Sequence, residues 1–334
     1  MLRLEVISDF TRLLSLRDDW RELWESSPSP TPFNSPDWLI TWWEHFGSGE
    51  LRVFLVKDDE PRIVGIIPSF LHNWNRQRQL TLLGSGISDY LDPIILPEHR
   101  GEVIRCLTDY LERDGEWERV DWQDLSCDMS LAGLSSDEKL AAHAQPDLAC
   151  SEIITNRSFS EYWDERPAGL RRNVRRYRNK AEQIGKLEFH ITRSYNEKCL
   201  QTLFALHGER WRERGEPGMI TINKSEPFLR AVAQVFAPRQ MLTFFTLTFE
   251  GELAAVILGF PCRNMIYAYL SAFDPSYAEF GFGRILLFEA LRHAWEQKFQ
   301  SWNFLRGDEA YKQEWGARVI PKVRLVVTRQ PIAP

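Results

Sequence analysis

The sequence predicts a mixed α/β (α+β) fold in two halves, each a mixed sheet flanked by helices. Three observations predict it. The chain has 334 residues, more than one core of about 100–200 residues usually serves. Strand-like alternation and helical periodicity interleave along its whole length. One order of elements, a hairpin, a strand, a helix and a strand, occurs twice. In the first half Tyr90-Leu91-Asp92-Pro93 precedes a helix and then Val120-Asp121-Trp122; in the second, Tyr269 to Pro275 precedes a helix and then Ser301-Trp302-Asn303. Tyr and Trp lie 32 residues apart in the first and 33 in the second, which points to duplication. The expected halves are 1–150 and 151–334.

Leu2 to Ile7 alternates like a strand, and Ser8 or Asp9 can cap a helix running to about Ser26. Residues 26–32 are a loop by their Ser and Pro content. Ser35-Pro36-Asp37 is a helix start: Ser caps, Pro takes the first position, and Asp faces the positive end of the dipole. Leu51–Val56 and Ile63–Phe70 read as a hairpin about residues 58–61. Strands at Leu80–Leu83 and Tyr90–Leu96, a helix over Gly101–Arg113 and a strand at Val120–Leu125 complete the first half. Leu131 to Pro146 reads as a helical or irregular connection, and Ser151–Thr155 as a strand. Pro167 then opens a basic helix ending near Gly185. A strand at Leu187–Thr192 and helices over Asn196–Arg212 and Glu226–Phe236 follow. Strands are expected at Leu242–Phe249, Ala254–Phe260 and Met265–Ser271, with Glu250-Gly251 as the first turn. A helix from Gly283 to Lys298, a strand at Trp302–Leu305, a short helix over Glu309–Trp315 and a strand at Lys322–Thr328 close the chain.

Composition excludes several classes. Hydrophobic residues make up 43% and charged residues 26%, ordinary globular usage that rules out disorder and collagen-like structure. A net charge of −6 argues against a generic nucleic-acid coat, though a local basic patch remains open. No apolar run reaches the roughly 18–20 residues of a membrane span, and the amino terminus lacks a signal-peptide pattern; a soluble, cytoplasmic chain is expected. The cysteines, 5 in number, are scattered and never spaced C-x-x-C, so neither a disulfide framework nor a zinc ribbon is signalled. The histidines show no metal-ligand spacing, and no P-loop or G-x-S-x-G elbow is present. No metal is expected.

Four segments are candidates for chemistry. Ala278 to Arg284 joins a strand to a helix and holds Gly281 and Gly283. Glycines let the backbone approach a ligand, and the first-turn N–H groups of the helix suit a pyrophosphate; a tight turn with no ligand fits the same residues. Asn303-Phe304-Leu305-Arg306-Gly307-Asp308-Glu309-Ala310-Tyr311-Lys312 ends a strand on two carboxylates, with Tyr311 and Lys312 exposed one turn later. That offers a base, a proton donor and an anion contact, or simply a helix start with Asp308 as cap and Glu309 as dipole partner. On the basic helix, Arg171, Arg175 and Arg178 share a face at spacings of four and three, suited to an extended anion or to solvent. His207 is either a packed histidine or part of an acceptor site with Arg210 and Trp211.

Tyr267 to Pro275, the Gly281/Gly283 loop, and above all the Phe304-Leu305-Arg306-Gly307-Asp308-Glu309 run with Tyr311, Lys312 and Trp315 resemble the GNAT-superfamily acetyltransferases of the CelD group, relatives of the FemAB transferases. The Arg171–Gly185 helix, the His207–Trp211 stretch, Ser35–Trp38 and Ser88–Asp92 also fit. Where that group often has Ser-Pro-Gly, this chain has Phe280-Gly281-Phe282-Gly283. The resemblance implies tandem GNAT-like (FemAB-like) domains, the first lacking its own cofactor site. It also implies an acyltransferase that takes an acetyl or other acyl group from acyl-CoA to an amine or hydroxyl, in cell-surface polysaccharide or peptide metabolism. In that scheme Gly281, Phe282, Gly283 and Arg284 hold the donor, and backbone N–H groups hold the thioester carbonyl. Glu309, supported by Asp308, takes the acceptor proton, with burial beside Trp302, Phe304 or Tyr311 tuning it. Tyr311 protonates the leaving thiolate. Arg171, Arg175, Arg178, His207, Arg210, Trp211 and Lys312 hold a glycan, peptide or phosphorylated acceptor. Two alternatives stay open: a FemAB-type transferase whose donor is aminoacyl-tRNA, and a non-catalytic module in polysaccharide export.

Overall fold

The computed structural model describes residues 2–128, 131, 134, 140–214 and 224–329, without the side chains of 210–214. The chain divides into two compact units. One comprises the residues up to Leu148 together with those from Pro321 onward, and the other is Ala149–Ile320.

The first unit contains β1 (Arg3–Ile7), α1 (Phe10–Ser15), α2 (Arg17–Ser26), α3 (Pro36–Phe46), β2 (Glu50–Lys57), β3 (Ile63–Trp74), β4 (Gln77–Leu82), β5 (Ile94–Ile95), α4 (Arg100–Arg113) and β6 (Arg119–Ser126). Asp9 caps α1 by accepting from Arg12 N–H, and the expected single helix breaks at Leu16, whose N–H turns back to Leu13 and Leu14. Ser35 caps α3 through Trp38 N–H with Pro36 next, as its sequence requires. The strands run β1-β2-β3-β4-β6, followed by Lys322–Thr328 of the chain's last strand. Neighbours are antiparallel except β4 and β6, which are parallel.

The second unit opens on the end of β7 (Leu140–Ile154) and continues through α5 (Phe159–Asp164), α6 (Ala168–Ile184), β8 (Leu187–Thr192), α7 (Glu197–Arg214), α8 (Ser225–Phe236), β9 (Thr243–Phe249), β10 (Glu252–Cys262), β11 (Met265–Phe273), α9 (Phe282–Glu296), β12 (Ser301–Arg306) and α10 (Ala310–Glu314); β13 (Arg318–Arg329) ends the described chain. The strand order is β8-β9-β10-β11-β12-β7, again antiparallel except for one central parallel pair, β11 with β12. On one face α6 and α9 bury Leu170, Val174, Ile285, Leu286 and Leu291 with Phe245, Ile257, Ile266 and Trp302. α7 packs on β10 and β11. Among the described residues no helix is long and apolar enough to cross a membrane.

Element by element, β1–β4, α4 and β6 of the first unit match β8–β11, α9 and β12 of the second. The repeat is real, but its register differs from the one the Tyr-to-Trp spacing suggests. The counterpart of β11 is β4, not Tyr90–Leu96. Only Ile94–Ile95 of that segment is strand, and it pairs with β3. Asp92-Pro93 interrupts it, since Pro offers no N–H to a ladder. Two other boundaries move. The strand expected at Ser151–Thr155 begins at Leu140, and the final strand expected in the 151–334 half pairs with β6 of the first unit.

Trp302 is fully buried, its ring 5.5 Å from that of Phe245 and 6.3 Å from that of Phe304. Trp302→Ala should lower unfolding free energy by about 3–5 kcal/mol, the usual penalty for emptying so large a site. Urea denaturation with unchanged slope would show it.

Candidate active site

The site follows from where two parallel strands part. β11 and β12 pair only at Met265–Ser301, Ile266–Trp302 and Tyr267–Asn303. β11 then runs on beside β10 to Phe273, while β12 bends away. The bend has local causes. β12 bulges against β7 between Asn303 and Leu305, and Leu305 is left-handed with φ +61°. The buried Asn303 Oδ1 accepts the Leu305 N–H at 2.8 Å. Gly307 follows at φ +105°, a conformation that favours glycine, and a Cβ there would collide with the Glu309 carboxylate. A wedge therefore opens inside the sheet, one wall of it the strand edge of β11 past Tyr267.

Lys312 holds the far wall. Its Nζ donates to the carbonyls of Arg306 at 2.6 Å, Gly307 at 3.1 Å and Leu305 at 3.4 Å, and pairs with Glu309 Oε2 at 2.8 Å. The Lys312 side chain is 3% exposed, so the expected exposed anion contact is instead an internal brace. Glu309 also differs from expectation: its side chain is 57% exposed rather than buried beside Trp302, Phe304 and Tyr311. Asp308 does not cap α10. The N-cap position is Glu309, with no side-chain cap bond, and Asp308 is exposed with no hydrogen bond or ion pair among the described residues. Tyr311 is 41% exposed, its ring edge-on to Phe304 at 6.1 Å. Glu309, Asp308 and Tyr311 thus share one solvent-facing turn at the mouth of the wedge. At its root, burial pushes the Tyr267 phenol well above its ordinary range, and nearby Cys262 and Glu152 push it further.

The glycine loop is more enclosed than its sequence suggests. Gly281 is left-handed, and a Cβ there would strike the Tyr177 ring at 2.6 Å; one on Gly283 would meet Phe273 at 3.0 Å. Both glycines make room for aromatic rings of the protein. Phe282 is buried and stacks on Phe280, and Arg284 pairs with Glu314 at 3.1 Å. The amino end of α9 nonetheless has no side-chain cap, so its first-turn N–H groups keep their partial positive charge.

The arginines of α6 divide. Arg178 is bound to the buried Glu289, which also takes Arg292 at 2.6 Å. Arg171 donates to the Arg166 carbonyl at 3.2 Å and pairs with Asp164 at 3.5 Å. Arg175 is exposed, as are Arg172 and Arg176, so only one of the three expected anion-holding residues is uncommitted to a carboxylate. His207 is buried on α7, and the side chains of Arg210 and Trp211 lie outside the described residues. Sequence reasoning missed Asn303 and Leu305. A polar residue between Trp302 and Phe304 in an apolar strand was the available signal for the first; nothing in a leucine signals left-handed backbone.

The first unit parts its strands in the same place. β4 and β6 pair only at Gln79–Arg119, Leu80–Val120 and Thr81–Asp121. There the gap is taken by the chain itself: Leu91 N–H donates to Asp124 O at 3.1 Å, and Ser88, Asp89, Tyr90 and Leu91 are buried.

Residues 168–313 match the family model described as an acetyltransferase (GNAT) domain. Comparison with curated proteins finds no match. Among solved structures, the crystal structure of FemX superposes with a TM-score of 0.68 at 10% identity over 96% of each chain. A protein of unknown function from Bacteroides thetaiotaomicron gives 0.59 at 12% identity, over 98% of this chain and 100% of that one. L-PGS from Bacillus licheniformis gives 0.59 at 13%, over 98% and 93%. At such identities the likeness is one of fold. The chain has a FemX-like fold, and the parted strands β11 and β12 lie inside the segment that matches the GNAT model.

Lys312→Met should destabilise by about 1–3 kcal/mol, because carbonyls turned toward a buried ammonium lose their donor. Asp308→Ala should change stability by less than about 0.5 kcal/mol, as an exposed residue without a capping bond does. Parallel denaturation of the two variants checks both.

Proposed function

We propose that the GNAT domain moves an acyl group from acyl-CoA, most simply acetyl-CoA, to an amine or hydroxyl of an anionic glycan or peptide acceptor in cell-surface metabolism, as the CelD-like run at Phe304–Lys312 suggests. One observation carries the reading: among the described residues the ladder of β12 with β11 ends at Asn303–Tyr267, while β11 runs on to Phe273 beside β10 alone. An open edge recognises another extended amide-bearing chain by main-chain hydrogen bonds. The pantetheine arm has two amides and suits that edge. The uncapped start of α9 at Gly281–Arg284 suits the pyrophosphate by charge. The residues present therefore fit acyl-CoA, and when bound it supplies an activated thioester.

The chain's own residues supply positioning and proton movement. Backbone N–H groups along the β11 edge polarise the acyl carbonyl. Glu309 Oε receives the acceptor proton, directly or through water, and its pairing to Lys312 orients it. Asp308, one residue earlier on the same exposed turn, is the supporting carboxylate. Tyr311 Oη delivers a proton to the leaving sulfur. Arg175, with Arg172 and Arg176, attracts the anionic acceptor. Holding donor and acceptor together converts a bimolecular step into a local one, which is where much of the acceleration arises. The first unit, whose corresponding gap is taken by Leu91, contributes no donor site in this reading.

Calorimetry with acetyl-CoA, longer acyl-CoAs and aminoacyl-tRNA tests the donor. Saturable acyl-CoA binding is expected, and binding of aminoacyl-tRNA alone would replace this reading with a FemAB-type transfer. Glu309→Gln should lower kcat by about 100-fold with acyl-CoA affinity kept, in the range of a lost general base. If Asp308→Asn alone abolishes turnover, the carboxylate roles are exchanged. Arg172→Ala/Arg175→Ala/Arg176→Ala should raise acceptor KM and flatten its salt dependence.

A further inference from the structure

We infer that Asn303 is a positioning residue that turns β12 away from β11 and thereby sets the opening in which the donor lies; the inference deepens the proposed acyl-CoA reading and rests on it. Asn303 sits in the last rung that the two strands share, opposite Tyr267. It is 1% exposed. Its Oδ1 reaches forward two residues to the Leu305 N–H at 2.8 Å, an Asx-type bond that satisfies the backbone donor locally. The donor so held belongs to the left-handed residue, Leu305 at φ +61°. A branched non-glycine residue does not keep that conformation unless its surroundings over-determine it. Phe304 becomes the extra residue of the bulge against β7, and bulges bend the strand that carries them. Beyond it the carbonyls of Leu305, Arg306 and Gly307 turn to Lys312 instead of continuing the ladder with β11.

The first unit supplies an independent instance of the same device. Its parallel pair also ends after one short ladder, at Thr81–Asp121. Soon after, Asp124 is left-handed at φ +58°, and a side-chain oxygen, Asp147 Oδ2, accepts its N–H at 2.8 Å. Asp124 falls at the bulge of β6 against the last strand, between the rungs Leu325–Trp122 and Val323–Leu125. In both units, then, a non-glycine left-handed residue with its N–H held by a side-chain oxygen marks the place where the strand leaves its parallel neighbour. The second unit differs in that the oxygen holding the left-handed residue's N–H comes from the same strand, two residues earlier.

The test compares Asn303→Ala with Asn303→Ser, two variants of similar small volume that differ by one acceptor oxygen. Ser can make the same forward bond to the second N–H along. In Asn303→Ala the Leu305 amide should exchange with solvent at least about 10-fold faster than in the wild type, and acetyl-CoA Kd should rise by a similar factor, the size of one lost hydrogen bond. Asn303→Ser should stay within about 3-fold on both readouts. Donor KM should follow Kd while acceptor KM stays constant, a split that general loss of structure would not give. Wild-type acetyl-CoA affinity in Asn303→Ala overturns the inference, and so does a Ser variant that fails as the Ala variant does. If the wild type binds no acyl-CoA, the donor reading falls, and the Leu305 exchange rates still decide whether Asn303 holds the turn.

Discussion

Three carbonyl oxygens, from Leu305, Arg306 and Gly307, converge on one buried ammonium, Lys312 Nζ, and the shape of the candidate site depends on that convergence. Taking an ammonium out of water costs several kcal/mol, which only good hydrogen bonds and an opposite charge offset. Lys312 has both, since Glu309 lies 2.8 Å away. The consequence is geometric. A strand whose carbonyls are committed to a side chain on the next helix cannot also ladder with its parallel neighbour. Ser151 Oγ, donating to Gly307 O at 2.9 Å, and Gly307 N–H, donating to Ala149 O at 2.9 Å, fasten the same turn from the β7 side. Wedge, exposed carboxylate turn and Tyr311 are therefore consequences of one buried cluster.

Much of the architecture was legible because it rests on periodicity and caps. The Ser35-Pro36-Asp37 start of α3, the β2–β3 hairpin, the basic helix and the order of elements in the second unit follow from local sequence alone, and the tandem mixed α/β fold follows from their repetition. The register of the repeat was not legible. Tyr90 and Tyr269 share a sequence context, yet Tyr90 lies under Lys322 Nζ at 3.9 Å in a buried loop, while Tyr269 lies within β11 against Phe260. Residue identity cannot separate those settings, because an aromatic ring serves a loop core and a strand face equally well.

At the site, the same limit takes a sharper form. Gly281 and Gly283 read as a place where backbone approaches a ligand, and they are places where backbone approaches Tyr177 and Phe273. Glycine signals close approach, but the identity of the approaching group is a tertiary fact. Lys312 read as exposed, with Tyr311, one turn beyond the strand end. Its burial follows from the left-handed turns at Leu305 and Gly307, of which only the glycine is visible in sequence. Arg171 and Arg178 read as a binding face because helical spacing aligns them, but Asp164 and Glu289 come from elsewhere in the unit and claim them.

The two units show how one topology yields a gap that is filled in one case and open in the other. Between β4 and α4 the chain has room to double back. Gly84 and Gly86 are left-handed, and at Gly84 a Cβ would collide with Leu91 at 2.7 Å and Ser88 at 2.8 Å. Trp38 Nε1 donates to Ser88 Oγ at 2.8 Å, and Asp92 accepts from Ser126 N–H at 2.9 Å and its hydroxyl at 2.8 Å. Leu91 is thereby delivered to the edge of β6. Between β11 and α9 the chain is shorter, a 3₁₀ segment kinked at Tyr277, Pro275–Phe280, capped by Asp274. It passes straight into the helix at Gly281 and sends no strand-like stretch back toward β12. The first unit spends its backbone edge on its own chain, as a buried polar edge requires. Among the described residues the second sends no such stretch into its gap, and it is this strand edge that the proposed acyl-CoA donor uses.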